Sequence, residues 1–254
     1  MKIVNLFKYV PIFLGIKRDR DLAFNLVVKL AGRILPEYRF TWPHMAWWQD
    51  SEFNEYLRRF DEDMGFNIHR RWALKQLIRL TANVQGDTAE CGVYKGCSSY
   101  AILKSNTRSA IPRHHHIFDS FEGLSSPSSK DSEYWARGDL SVGEGMVKQN
   151  LAEFDDRLTL YKGWIPIRFD EVSKLRFSFV HVDVDLYQPT SDSITFFYDR
   201  LSDGGIFLCD DYGFDTCTGA TAAVDSFLQS KPEKMIVLPD GGGFFIKNCI
   251  TADK

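Results

Sequence analysis

The hydrophobic pattern of the chain changes near residue 66. Before that point, apolar and aromatic positions follow helical spacing without a clear strand, and tryptophans cluster in RFTWPHMAWWQD. After an amphipathic helix over residues 69–82, short apolar runs alternate with helical stretches. We therefore predict a helical N-terminal extension over residues 1–65 and one larger domain over residues 66–254.

The apolar runs after residue 82 predict seven strands. Their ranges are 88–91, 115–118, 158–161, 177–184, 205–209, 234–238 and 243–247, with helices near 97–105, 142–154, 189–200 and 219–229. Strands that alternate with helices are typical of a mostly parallel sheet covered on both faces. The LPDGGG turn before the last strand predicts a hairpin, which makes that strand antiparallel. The expected fold is α/β, with a Rossmann-like doubly wound sheet.

Composition and charge exclude some classes of protein. With 254 residues, 44% of them hydrophobic, the chain can bury a full core. A formal net charge of -3 lacks the basic excess that nucleic-acid binding requires. The cysteines number five, without zinc-type pairing, which fits a reducing cytoplasm.

The N-terminal stretch MKIVNLFKYVPIFLGIKRDR is apolar, but Lys8 and Pro11 interrupt it. It lacks a cleavage site of small residues and is too short to span a bilayer. We interpret it as a docking segment, with peripheral membrane contact as the lesser alternative. We also expect the chain to form a homo-oligomer.

A polar, glycine-rich stretch over residues 125–145 has the composition of a mobile lid. Tyr134 and Trp135 within it could stack on a sugar ring, although a solvated loop is equally consistent with the sequence. The histidines at 114–116 alternate in direction along a strand and so cannot chelate one ion together.

Ligands of open α/β sheets bind beyond the carboxyl ends of the strands. There, ECGVYKG places Glu90 at a strand end, Gly92 and Gly96 in a tight turn, and Ser98 at the start of a helix. The next strand ends at Asp119, where a carboxylate can accept hydrogen bonds from ribose hydroxyls. Together these residues indicate a nucleoside site. The alternative is that they are turn glycines and a helix cap.

Two pairs of acids follow two apolar strands. Period-2 alternation predicts Asp183 and Asp185 on one face of the strand in HVDVD, and GGIFLCDDYG adds Asp210 and Asp211. Like charges about 4 Å apart repel by roughly 4 kcal/mol at an effective dielectric of about 20, so a cation would stabilise the cluster. Oxygen ligands favour Mg²⁺, or else Mn²⁺ or Ca²⁺, over zinc. Helix capping is the alternative for the acids, and His181 is interpreted as a core histidine.

The segments GDTAECGVYKGCSS, FDSFEGL, KGW, HVDVDLYQPT and GGIFLCDDYG give the chain a family resemblance over roughly residues 66–250. It resembles the macrocin O-methyltransferase (TylF-like) family, S-adenosylmethionine-dependent enzymes with metal-assisted transfer to sugar hydroxyls. The resemblance implies that Asp183, Asp210 and Asp211 hold Mg²⁺ and that Asp185 is the general base. The residues it implies around the methyl donor are Glu90, Gly92, Tyr94, Ser98, Asp119, Ser120 and Asp183.

Two further residues bear on the type of methyltransferase. Trp164 could stack on adenine, with core packing as an equal alternative. Related enzymes of catechol methylation place a lysine base three positions after the first metal aspartate, where this chain has Leu186. We therefore expect methylation of a sugar, a glycosylated metabolite or a glycan precursor. Methylation of a small phenolic acceptor and a non-catalytic S-adenosylmethionine-binding module are the alternatives.

Overall fold

The computed structural model describes residues 10, 19–35 and 39–248 of the chain. The chain divides into two compact units, one up to Tyr56 and one from Leu57 onward. Nearly all of the predicted N-terminal docking segment lies outside the described residues. The domain boundary predicted at residue 65 stays a prediction.

The described residues before position 66 form helices and no strand, as predicted. Helix α1 spans Arg20–Ile34, a 3₁₀ turn spans Ala46–Gln49, and helix α2 spans Ser51–Arg59. Asp19 caps α1 by accepting a hydrogen bond from the backbone N–H of Leu22 at 2.9 Å.

The second unit contains a seven-stranded sheet in the order β3-β2-β1-β4-β5-β7-β6. Strands β1 to β5 pair in parallel, while β7 pairs antiparallel with both β5 and β6. This confirms the predicted doubly wound sheet and its antiparallel last strand. The strands are β1 (Asp87–Cys91), β2 (His115–Asp119), β3 (Leu158–Lys162), β4 (Phe177–Val182), β5 (Leu201–Cys209), β6 (Ile236–Val237) and β7 (Gly243–Ile246).

Helices cover both faces of the sheet. On one face, Leu74 of α3 and Ile102 of α4 pack against Phe179 and Leu208. The helices of the second unit are α3 (Ile68–Leu80), α4 (Cys97–Thr107), α5 (Glu144–Asn150), α6 (Tyr187–Tyr198) and α7 (Thr218–Leu228). Burial of each large apolar side chain contributes about 1.5–3 kcal/mol, so these contacts fix the helices on the sheet.

The opposite face is covered by α6 and α7, whose Phe197 and Val224 belong to one buried cluster with Val180 and Phe207. Because β1 lies between β2 and β4, the direction of winding reverses between β1 and β4. The loops that follow these strands therefore open a crevice at this end of the sheet.

Some element ends differ from the sequence prediction. Strand β4 ends at Val182 rather than at 184, because Asp183 and Asp185 leave the sheet as a loop. The helix predicted over 142–154 is divided into α5 and a 3₁₀ segment, Ala152–Arg157.

The free cysteines among the described residues are Cys91, Cys97, Cys209 and Cys217, and each is buried. Among the described helices, none has the length and apolar character needed to cross a membrane.

Candidate functional site

A cavity of about 690 Å³ opens at the carboxyl ends of the strands in the second unit. Its wall includes the turn after β1, the loop after β2, and the loops after β4 and β5. Of the residues predicted to contact the methyl donor, those that line this cavity are Gly92, Tyr94, Asp119, Ser120, Trp164 and Asp183. The four acids Asp183, Asp185, Asp210 and Asp211 line it as well.

Gly92 allows the turn after β1 to approach the loop after β4. Its φ is +82°, and a Cβ atom there would lie 1.8 Å from the carbonyl oxygen of Asp183. Only a residue without a side chain fits both this conformation and this contact. The turn and the acid loop are thus held against each other by direct backbone packing.

Asp119 fixes the same turn from the neighbouring strand. Its Oδ2 accepts a hydrogen bond from the N–H of Val93 at 2.8 Å, and its Oδ1 accepts one from the N–H of Phe121 at 2.6 Å. The backbone N–H of Tyr94 is a third donor to this carboxylate, which offers about four acceptor sites in all and so keeps capacity for a ligand. Burial raises the pKa of Asp119 above its ordinary value.

Glu90 and Ser98 do not line the cavity. Glu90 is fully buried beneath it, where its Oε1 lies 2.7 Å from Nδ1 of His181 and its Oε2 accepts a hydrogen bond from Ser99. Burial alone would raise the pKa of Glu90, but hydrogen bonds from His115 and His181 lower it to about 2. In this structure Glu90 supports the floor of the site.

His181 is a buried, hydrogen-bonded histidine, as the sequence predicted. It lies between two carboxylates, with Nε2 3.5 Å from Oδ1 of Asp210 on the side away from Glu90. Burial alone would lower the pKa of His181, but Asp210 and Glu90 raise it to about 10. An imidazolium therefore connects the buried Glu90 to the acids of the cavity.

The four acids form two groups of potential ligands rather than one. Asp183 and Asp210 lie with His181, whereas Asp185 and Asp211 lie with Cys217. Asp183 and Asp185 are not on one strand face, because β4 ends at Val182 and Asp185 takes a left-handed φ of +60°. The period-2 argument fails here, since it holds only while the backbone stays extended.

Asp211 is fixed by the backbone of the neighbouring loop. Its Oδ2 accepts hydrogen bonds from the N–H groups of Val184 and Asp185, at 3.0 and 2.7 Å. Burial and the charge of Asp185 raise the pKa of Asp211 well above its ordinary value. Burial raises the pKa of Asp185 to about 6, and burial with the charge of Asp210 raises that of Asp183 to about 7.

Arg70 is a cavity residue that the sequence analysis missed. It extends from α3, and its guanidinium contacts the carboxylate of Asp210 and donates to the backbone oxygen of the same residue at 3.0 Å. Burial alone would raise the pKa of Asp210, but Arg70 and His181 hold it well below its ordinary range. No local pattern of the sequence marks Arg70, because its partner Asp210 lies 140 residues further along the chain.

The residues fit a hard divalent cation in donor chemistry and charge. Asp183 and Asp210 bring carboxylate oxygens to one group and Asp211 brings one to the other, and the raised pKa values of Asp183 and Asp211 mark negative charge that a cation would stabilise. Arg70 supplies part of that positive charge at Asp210.

The loop between β2 and α5, residues 120–143, forms one wall of the cavity. Tyr134 and Trp135 both line the cavity, and Tyr134 is exposed. Oδ1 of Asp131 accepts a hydrogen bond from the N–H of Tyr187 at 2.6 Å, so the loop is attached to the start of α6. Its role as a lid stays a prediction.

Comparison with known proteins places the chain among O-methyltransferases. A model of the family Macrocin-O-methyltransferase (TylF) matches residues 54–237. The 8-demethyl-8-(2,3-dimethoxy-alpha-L-rhamnosyl)-tetracenomycin-C 4'-O-methyltransferase of Streptomyces olivaceus is 29% identical over 222 residues, which cover 79% of this chain and 83% of that protein. The demethyldecarbamoylnovobiocin O-methyltransferase of Streptomyces niveus is 27% identical over 236 residues, which cover 82% of this chain and 86% of that protein.

Two solved structures share the fold. The O-methyltransferase NovP superposes with a TM-score of 0.61 at 23% identity, covering 90% of this chain and 99% of that chain. The calicheamicin methyltransferase CalS11 gives a TM-score of 0.65 at 18% identity, covering 91% and 95%. The family match extends over more than half of the chain and includes both acid pairs and the turn after β1. The chain therefore belongs to the macrocin O-methyltransferase (TylF) family of O-methyltransferases.

Proposed function

We propose that this enzyme transfers a methyl group from S-adenosylmethionine to a hydroxyl of a sugar or glycosylated metabolite, with the help of Mg²⁺. The observation that carries the proposal is the shared cavity, in which a turn suited to a nucleoside lies beside four carboxylates, three of them buried and that of Asp183 half-buried. The relative from Streptomyces olivaceus is named for methylation of a rhamnosyl-tetracenomycin, which supports a glycoside as the acceptor.

Residues on the β1 and β2 side are suited to the methyl donor. Asp119 has acceptor capacity left for ribose hydroxyls, and Gly92 keeps the turn free of side-chain atoms. Trp164 lines the same cavity and offers an indole face for adenine. The donor already carries an activated methyl, so these residues need only to hold it in line with the acceptor oxygen.

Asp185 is proposed as the general base. A hydroxyl is a weak nucleophile at neutral pH, and loss of its proton during methyl transfer increases its reactivity. With its pKa raised to about 6, Asp185 is mostly ionised at pH 7 and is more basic than an ordinary aspartate. Leu186, at the position of a lysine base in catechol enzymes, is 1% exposed and apolar, so it cannot take this role.

Asp183, Asp210 and Asp211 are proposed to hold the Mg²⁺. Such an ion would polarise the acceptor hydroxyl and stabilise negative charge on oxygen. His181 and Arg70 keep Asp210 ionised, which is the form of a carboxylate that binds a cation. The proposed base and the proposed ligands come from the same two loops, with Asp185 and Asp211 in one group and Asp183 and Asp210 in the other.

The first experiment measures the binding of ligands by calorimetry. We expect S-adenosylmethionine and S-adenosylhomocysteine to bind and NAD not to bind. Asp119→Ala should weaken binding of S-adenosylhomocysteine, because the carboxylate and its support of the turn are lost. Binding of NAD without binding of the methyl donor would contradict the proposed site.

The second experiment is a screen of acceptors with labelled methyl donor. Glycosylated metabolites, nucleotide sugars and lipid-linked glycans are compared with small phenols, and label in the glycosides is the expected result. With an acceptor in hand, chelation should abolish turnover and Mg²⁺ should restore it. Asp185→Asn should retain metal affinity while turnover falls by about 100-fold or more, within the range typical of a general base. Full turnover after chelation would refute the metal role.

A further inference from the structure

The thiol of Cys217 lies between the wall of the cavity and the carboxylate of Asp185. Its Sγ is 3.5 Å from Oδ1 of Asp185, and Nε1 of Trp135 is 3.4 Å from the same Sγ. The residue is only 4% exposed, so both contacts are shielded from solvent. Trp135 belongs to the β2–α5 loop, and Cys217 thus joins that loop to the proposed base.

The chemistry of the three groups sets the direction of the hydrogen bonds. An indole N–H can only donate, so Sγ accepts from Trp135 and its own proton is free to be donated to Asp185. A thiol has an ordinary pKa of about 8.5, so it carries its proton at neutral pH. The indole N–H of Trp135 therefore donates to the thiol of Cys217, and the thiol donates to the carboxylate of Asp185.

We propose that Cys217 is a positioning residue that holds Asp185 in its active orientation and couples it to the β2–α5 loop through Trp135. This inference rests on the proposed function, because it takes Asp185 as the general base. Asp185 has a φ of +60°, which is unfavourable for a residue with a Cβ and is kept only by surrounding contacts. The thiol provides one of those contacts.

The loop is attached around Asp185 at two further points. Asp131 accepts from the N–H of Tyr187, two residues after Asp185, and Ser132 donates to the backbone oxygen of Thr216, next to Cys217. Gly219 makes the first contact possible, since a Cβ there would lie 1.9 Å from Oδ1 of Asp131. Movement of the β2–α5 loop would therefore be transmitted to Tyr187 and to Thr216, the attachment points on either side of Asp185.

The test compares Cys217→Ala, which removes the donor, with Cys217→Ser, which restores one. Trp135→Phe removes the indole N–H and retains an aromatic ring. Cys91→Ala is the matched control, because the Cys91 side chain is fully buried in β1 and its thiol makes no hydrogen bond to the four acids. The backbone hydrogen bond from the N–H of Asp183 to the carbonyl of Cys91 is retained in this variant. Thermal unfolding of all four variants measures the general cost of the lost packing.

Amide hydrogen exchange provides a measurement that needs no acceptor. We expect Cys217→Ala to speed exchange about fivefold in both residues 128–136 and residues 183–187, as for the loss of one hydrogen bond. Trp135→Phe should speed exchange in the same two segments, and Cys91→Ala in neither beyond its global effect. A change confined to the immediate surroundings of residue 217 would overturn the coupling.

Kinetics with an acceptor from the screen separates positioning from structure. For Cys217→Ala we expect a fall in kcat of about tenfold and a KM for S-adenosylmethionine within twofold of the parent, with Cys217→Ser recovering most of the loss. If Asp185→Asn abolishes turnover while Cys217→Ala leaves kcat unchanged, the inference is wrong and the proposed function stands. If Asp185→Asn retains full turnover, Asp185 is not the general base and the proposed function is wrong on that point. Tight Zn²⁺ binding that Cys217→Ser abolishes would instead identify a thiolate metal site and overturn the positioning role.

Discussion

Replacement of Gly92 by alanine tests the contact between the donor turn and the acid loop. The new Cβ would lie 1.8 Å from the carbonyl oxygen of Asp183 and 3.1 Å from Cγ1 of Val184. Ordinary contact between a carbon and an oxygen atom needs more than 3 Å, so one of the two loops must move by more than 1 Å. The left-handed backbone adds about 1–2 kcal/mol of strain for any residue with a Cβ.

We therefore expect Gly92→Ala to lose about 2–4 kcal/mol of unfolding free energy, from strain and overpacking together. A shift of about 1 Å between donor and acceptor groups should also lower kcat/KM by roughly 100-fold. Urea unfolding and isotopic methyl transfer measure the two effects. Calorimetry with S-adenosylhomocysteine shows whether the donor site itself has moved.

Gly138→Ala is the matched control for this prediction. Gly138 also has a left-handed φ, of +88°, but a Cβ there meets no atom within 4 Å. Its substitution should show the conformational cost alone and leave donor affinity unchanged. Equal losses of stability and equal donor affinities in the two variants would refute the argument from close approach.

Three further predictions concern the surroundings of the acids. Arg70→Gln removes one partner of a buried ion pair and should lower the unfolding free energy in chelator by about 3–5 kcal/mol. Arg79 is exposed on the same helix, so Arg79→Gln should change the unfolding free energy little, and equal effects of the two variants would contradict the pairing of Arg70 with Asp210. The pKa of His181 is raised to about 10. The stabilisation of the fold by the charged imidazole is therefore complete below about pH 6.5 and is lost as the pH rises through about 10. Thermal unfolding in chelator should thus show a decline over this range that His181→Asn lacks. Gly219→Ala should displace Asp131 from Tyr187, which trypsin cleavage in the β2–α5 loop would detect as faster cutting; an unchanged cleavage rate would count against this attachment.

Much of the fold follows from the sequence because its signals are local. Alternating apolar runs and helical stretches predict the strands and their order of appearance, and the glycine-rich turn predicts the antiparallel end of the sheet. The meeting of two acid pairs follows from the shared carboxyl edge of parallel strands. These predictions require only that each segment keeps its own regular geometry.

The division of the acids into two groups could not be predicted in this way. It depends on the point at which β4 ends and on the left-handed φ of Asp185, both of which are set by packing with the neighbouring loop. Arg70 and Cys217 come from distant segments and reach the acids only through tertiary contacts, and Asp131 reaches the backbone of Tyr187 in the same way. Glu90, predicted to touch the donor, lies instead beneath the cavity, because its strand position faces the buried His181.

The pairing of the acids has a consequence for how the enzyme can change. Each of the two loops gives one carboxylate to either group, Asp183 and Asp185 from one loop, Asp210 and Asp211 from the other. An insertion or deletion in one loop would therefore disturb both groups of acids at once. Neither group can be inherited without the other. Diversification of such an enzyme toward new acceptors is thus directed to the outer walls, where residues can be exchanged without separating the pairs.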